Sequence, residues 1–311
     1  MPIALKTLHL RLSFQCHEAV RFNPFSASAW RGCLGHHLKK TVCMVRGQSS
    51  CQTCMLAQNC VYTQVFESMP DPHAQKMRLY QDIPVPYVLK PQHEQRLKQG
   101  DDCSLHMLLF GSACSYLPFI LDALGREPLE IGHGKLQLQH VDVESPTGSG
   151  QWQTCYQQGK LLAHQATCAR LPAAPKQLRI ELTSTLRLRQ NNRFVRPEAL
   201  TFRDFLSFLL RRTSLLHHFY GDSGLEVDHR SLLFKADQVL MTQKELRWKD
   251  DERYSSRQKT TMKTGGLLGS FHIELDPEFW PYLWHGQWLH VGKNTSMGQG
   301  GYALKEVSEI Q

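Results

Sequence analysis

No stretch of this sequence approaches the run of about 18 apolar residues that a membrane-spanning helix needs, which excludes such a helix. The opening residues, MPIALKTLHLRLSFQC, lack both a long apolar core and a small-residue cleavage site, and they alternate like a strand. No secretory signal is read there, and no membrane partner is expected. Ten cysteines without such a signal fit a reducing cytoplasm, where clustered thiols bind metal more often than they pair as disulfides.

What is present bounds the answer further. The 311 residues, 41% of them hydrophobic, suffice for two cores in domains of about 150 residues each. Lys plus Arg number 36 against 28 Asp plus Glu, a net +8, and the surplus is local. Residues 170–270 hold 19 basic and 11 acidic side chains, whereas the remainder holds 17 of each. Such a concentration points to a phosphate backbone or an acidic surface as partner, the alternative being a solvated face.

Along the chain, Leu5, Leu8, Leu10, Leu12 and Phe14 mark a strand over 3–14, and Ser26 or Ser28 caps a helix reaching about Val42. A Cys-rich insertion occupies 43–60, and the proline-bearing IPVPYVLKP (83–91) fits an edge strand or extended connection. A strand over 103–111 leads into a helix ending at Gly125, and 131–164 reads as a meander. LPAAPK (171–176) is the linker, giving domains over 1–175 and 176–311. In the second, LRIELTSTLRLR (178–189) alternates cleanly, with Arg187 and Arg189 on one face. A helix follows at about 198–219, then a strand over 269–275, a helix over 277–286, a short strand QWLHVG (287–292) and a last strand from Tyr302. The order predicts an α+β fold of two tandem ferredoxin-like domains with antiparallel sheets.

Two segments carry chemistry. LHVGKNTSMGQGGYAL (289–304) sets Gly292, Gly298, Gly300 and Gly301 within ten residues, with Lys293 at the loop's start. Glycine permits positive φ and close backbone approach, so the loop either lies against phosphates or is simply a tight hairpin. Its spacing matches neither a Walker loop nor a dinucleotide fingerprint. The second is Cys43-x7-Cys51-x2-Cys54-x5-Cys60, whose four thiols suggest a structural zinc first, with an iron–sulfur cluster or free thiols as alternatives. Phe279, Trp280, Tyr282, Trp284 and Trp288 read as core rather than as a stacking platform.

The segment WLHVGKNTSMGQGGY (288–302) resembles the C-terminal glycine-rich loop of the RAMP superfamily, in the form found in CRISPR precursor-RNA processing endoribonucleases. RYSSRQK (253–259), GGLLG (265–269), FWPYLWHGQWLHVG and, in the first half, WRGCLGHHLKK (30–40), VFES (65–68) and IPVPYVL (83–89) extend the likeness, the first half to a subgroup with a four-cysteine cluster. Relatives often carry arginine after the final glycine, where this chain has Gly301.

The resemblance implies an enzyme that grips a CRISPR repeat RNA, often a hairpin, and cuts it without a metal. The adjacent 2′-OH attacks the phosphate, leaving a 2′,3′-cyclic phosphate and a 5′-OH, so no cofactor is expected for catalysis. A product held within an effector complex of other subunits is expected too, the alternative being a silent guide-RNA-binding subunit. Relatives place a catalytic histidine in or after the first helix, which singles out His36 and His37. On a helix His36 shares a face with Lys39 and Lys40, which suits a proton-transfer group beside a phosphate-holding cation. Tyr254 and Lys293 are secondary candidates. Arg187, Arg189, Arg193, Arg196, Arg211, Arg212, Arg247, Lys249, Arg253, Arg257, Lys259 and Lys263, with the four loop glycines, are the candidates for holding RNA.

Overall fold

The computed structural model describes residues 5–45, 50–69, 83–92, 94–250, 252–255 and 260–307. The chain divides into two units: 5–168 with 219–222, and 169–218 with 223–307. The division falls between Cys168 and Ala169, ahead of the 171–176 linker, and Phe219–Asp222 is grouped with the N-terminal unit.

In the N-terminal unit, β1 (Thr7–Glu18) turns Leu8, Leu10, Leu12 and Phe14 inward, each at most 1% exposed. Burying each such leucine contributes about 1.5–3 kcal/mol, which fixes which face meets the helices. α1 (Ala27–Val42) answers with Trp30, Leu34 and Leu38 at four-residue intervals. Neither serine is used as expected: Ser26 is the N-cap but makes no side-chain capping bond. β2 (Tyr87–Gln92), β3 (Asp102–Phe110), α2 (Leu117–Gly125), β4 (Gly134–Glu144) and β5 (Trp152–Gln157) follow. The sheet runs β2-β3-β1-β4-β5, antiparallel throughout. β2 is its edge, where Pro91 costs no central ladder bond. Gly125 does close α2, though in ordinary helical geometry; a Cβ there would stand 2.6 Å from the Tyr156 hydroxyl.

The C-terminal unit repeats the order: β6 (Gln177–Leu186), α3 (Phe202–Tyr220), β7 (Thr242–Lys249), β8 (Gly266–Glu274), α4 (Trp280–Leu289) and β9 (Tyr302–Glu306). Its sheet runs β7-β8-β6-β9, all antiparallel. Both units therefore carry the ferredoxin-like β-α-β-β-α-β arrangement. Thr201 and Asp204 exchange backbone-to-side-chain bonds at 3.1 and 3.2 Å, a capping box that sets the start of α3 four residues later than its composition suggests.

The sequence reading has neither β7 nor the helix His229–Ala236, and one element that it does name is of another kind. Residues 287–289 of QWLHVG are the last turn of α4, not a strand. Their aromatic, β-favouring composition is satisfied on the helix, where Trp288 meets Trp284 at 5.6 Å, and the helix stops only at His290, whose φ is 61°. Phe279 and Trp280 lie in the core, with Tyr282 and Trp284 packed against it.

Candidate nucleic-acid interface

The glycine-rich loop is built onto the end of β6. Gly300 N–H donates to the Thr185 carbonyl and Val291 N–H to the Gly300 carbonyl, both at 2.9 Å. Ser184 Oγ donates to the Gly298 carbonyl at 2.7 Å and accepts from Gly301 N–H at 2.8 Å. Lys293 N–H reaches the Arg187 carbonyl at 2.9 Å. Two residues missed by sequence reading pin the interior. Buried Gln299 donates to Thr185 Oγ1 and to the Thr264 carbonyl at 2.7 Å each, while its own carbonyl oxygen accepts from Asn294. Nothing in a Gly-Gln-Gly-Gly string announces that role.

The four glycines separate by what they do. At Gly292 (φ 88°) an added Cβ would meet the Arg187 carbonyl at 2.4 Å, and at Gly300 (φ 74°) the Val291 carbonyl at 1.8 Å. Gly300 and Gly301 are buried, Gly292 and Gly298 half-buried, and Lys293 exposed. A Cβ at Gly301 would meet side-chain atoms of His290 and Thr183, at 2.9 and 3.0 Å.

Two arginines are not where the sequence puts them. β6 ends at Leu186 after a register shift beyond Leu182, so Arg187 does not share an exposed face with Arg189. Arg187 is 7% exposed, donates to the Lys263 carbonyl at 2.9 Å and lies over Phe194. Arg212, 8% exposed, donates from Nε to the Leu289 carbonyl at 2.6 Å and so closes the C-terminus of α4. Both serve packing, and neither presents its guanidinium on an open surface.

The exposed cations gather differently. Arg189–Gln190 and Arg193–Phe194 form a hairpin turned by Asn191 and Asn192, both left-handed. It borders a cavity of about 530 Å³ with Arg196 and Ala199. Arg196 lies 4.1 Å over Trp248, which stands 6.4 Å from Phe194. Exposed guanidinium beside half-buried aromatic rings suits a nucleic-acid strand, which offers phosphate and base faces together. Arg211, Arg247, Lys249 and Lys263 are also exposed. Arg253 and Tyr254 lie on strand Glu252–Ser255, paired with Thr260–Lys263; Arg257 and Lys259 lie outside the described residues.

In the N-terminal unit His36 is exposed and His37 half-buried, their ring centroids 5.3 Å apart. Burial, then the charges of His36 and Lys40, pull His37 below the ordinary histidine value. Lys40 bonds Glu127 at 2.8 Å, and Lys39 lies 5.4 Å from the Tyr62 ring centroid. Gly35 permits the fit beneath: a Cβ there would stand 2.3 Å from Phe66.

The four cysteines expected to hold zinc are Cys43, Cys51, Cys54 and Cys60, all half-buried. Among the described residues no three of His, Cys, Asp or Glu converge on an ion position. Cys51 and Cys60 pack against the N-terminal core instead, and the Cys43 thiol bonds the Val45 carbonyl at 3.4 Å. The short helix Val61–Val65 ties the insertion to the N-terminal core through buried Tyr62 and Val65.

Comparisons agree with both units. A search of curated protein sequences gives no match. Among solved structures, a Cas6 product complex is 12% identical, with a TM-score of 0.59 over 96% of this chain and 99% of that one. Thermus thermophilus Cas6 is 12% identical at a TM-score of 0.55, over 97% and 99%. A partial Cas6-RT-Cas1–Cas2 complex is 14% identical at 0.55, over 98% of this chain and 47% of the other. At such identities the likeness speaks for the fold. Family models add the rest: AF_1859_N, described as an N-terminal domain, matches 5–168, and CRISPR-associated endoribonuclease Cas6 matches 180–302. The C-terminal unit therefore carries a CRISPR-associated endoribonuclease Cas6 domain, beside the AF_1859_N domain of the N-terminal unit.

Proposed function

We propose that this protein cuts CRISPR precursor transcripts within the repeat, by attack of a ribose 2′-OH on the neighbouring phosphate, to leave 2′,3′-cyclic phosphate and 5′-OH ends. The observation that carries the reading is the His36–His37 pair on an accessible stretch of α1, one ring open and the other drawn below the ordinary histidine value by partial burial. The reaction needs a base for the 2′-OH, an acid for the departing 5′-oxygen and a cation for the non-bridging oxygens. Two imidazoles and a lysine supply all three, so the chemistry proceeds without a metal. The nucleophile belongs to the RNA, which restricts cutting to ribose.

Lys40 is the cation of choice. Its pairing with Glu127 is exposed, and such a pair is weak enough to open when a phosphate arrives. Arg189, Arg193, Arg196, Lys293 and the loop's half-buried Gly292 and Gly298 hold the strand, with Tyr254 and Arg253 as further contacts. The RNA is a repeat hairpin, bound in the cytoplasm, and its product stays with the protein in an effector complex. The solved Cas6-RT-Cas1–Cas2 assembly supports a place among other CRISPR proteins.

The same Lys40–Glu127 pair favours a second reading, a silent subunit that binds guide RNA, because it occupies a cation whose charge acts on His37. Labelled repeat RNA incubated with the protein in EDTA separates the two. Shortened RNA with a cyclic phosphate end is expected; a mobility shift with no cutting would establish the silent subunit.

A further inference from the structure

On the face of the N-terminal sheet turned away from α1, the register lines up Lys90, His106, Arg11, Asp142 and Thr154 across β2, β3, β1, β4 and β5. In the next row His9 stands opposite Glu144, and Glu144 opposite Trp152. These residues are bonded into a chain. Glu144 accepts from His9 Nδ1 at 2.7 Å and from the backbone N–H groups of Gly148 and Gly150 at 2.9 and 2.7 Å. His9 Nε2 lies 3.1 Å from His106 Nδ1. Trp152 packs edge-on against both imidazoles, at 5.0 and 5.6 Å. Arg11 bonds Asp142 at 2.8 Å, lies 4.7 Å over Trp152 and keeps 39% of its side chain exposed.

We propose that Lys90, His106 and Arg11 together bind one phosphodiester of an RNA strand laid across this sheet, with Glu144 and His9 holding the His106 ring in position. The site rests on the reading of the protein as an RNA binder but is separate from the His36–His37 helix, which lies on the sheet's other face.

Three features carry it. A carboxylate only accepts, so Glu144 fixes His9 Nδ1 as a donor, and the bond between the two rings then leaves His106 Nε2 as the open end. Lys90 is half-buried yet has no hydrogen-bonded or ion-pair partner among the described residues. Burial of an ammonium is costly, and burial here pulls Lys90 below the ordinary lysine value. Burial, then the charges of His9, Lys90 and Arg11, pulls His106 down to about 4. The carboxylates facing the group are already committed: Glu144 to His9 and two backbone amides, Asp142 to Arg11, Thr154 and, at 3.7 Å, His140. Among the described residues the Lys90 ammonium therefore faces no uncommitted carboxylate, and His106 Nε2, an acceptor while the ring is neutral, becomes a donor on protonation. A phosphodiester would accept from both, and by favouring charged Lys90 and His106 it would bind with proton uptake.

The linkage sign follows. His106 is neutral when free and protonated when the anion is bound, so affinity rises as pH falls from 8 toward 5.5. The test uses fully 2′-O-methylated repeat RNA, which keeps every phosphate but has no nucleophile, at both pH values and across a salt series. Lys90→Met is expected to weaken binding about tenfold and to lower the salt slope by about 1. His106→Gln, which keeps a neutral hydrogen-bonding side chain but cannot take up a proton, is expected to remove most of the tightening at pH 5.5. Wild-type binding matched by both variants in slope and pH dependence overturns this site alone. A wild-type protein that binds no RNA at all overturns the RNA reading and the site with it.

Discussion

A protein carrying both His36→Ala and His37→Ala is expected to cut repeat RNA at least about a hundredfold more slowly while binding it within a few-fold of wild type. General acid and base catalysis each contribute about 10² to 10⁴ in rate, and both histidines lie on a helix surface where truncation leaves the core intact. The pH profile sharpens the expectation. A base acts only when unprotonated, and burial with the charges of His36 and Lys40 holds His37 below the ordinary 6.5. The rate should therefore rise with pH along an acidic limb lying below pH 6.5, and His37→Ala should remove that limb. Normal cutting by the double variant would retire the helix as the reaction centre and turn attention to Tyr254 and Lys293.

Gly300→Ala is expected to destabilise the C-terminal unit by at least about 3 kcal/mol, and to abolish RNA binding with it. Two effects add. A side chain in the left-handed region costs about 1–2 kcal/mol by itself. Here the new Cβ would also stand 1.8 Å from the Val291 carbonyl, so the Val291–Gly300 and Gly300–Thr185 bonds that seat the loop must break. Gly159→Ala isolates the first effect, since Gly159 has nearly the same φ, 75°, with nothing within 4 Å. Denaturant unfolding of the two variants checks the difference. Equal losses would mean that the loop is not braced against β6.

How far such a site is legible in sequence depends on whether a signal is local. β1 and β6 are legible because period-two alternation records which face is buried, whereas β7, with its alternating but mostly polar TQKELRWK, is not read as a strand. The glycine cluster is legible as a backbone requirement at Gly292 and Gly300, while the burial of Gly301 depends on His290 and Thr183 and is not. Arg187 reads as exposed because alternation is extended past Leu186, whereas the register shift after Leu182 breaks the pattern and the side chain lies over Phe194. Arg212 falls on the buried stripe of α3, yet only the fold reveals the Leu289 carbonyl that it caps. The cysteine spacing offers four donors without saying whether the backbone brings them together. His9, His106 and Glu144 are each an ordinary polar position on a strand, and only cross-strand register makes them neighbours.

The central claim is that the RNA's own ribose hydroxyl is the nucleophile. Replacing the single nucleotide 5′ of the scissile phosphate with its 2′-deoxy form, in otherwise unmodified repeat RNA, tests this directly. Unchanged binding with no detectable cutting is the expected result; cutting at that bond at the normal rate would contradict the account.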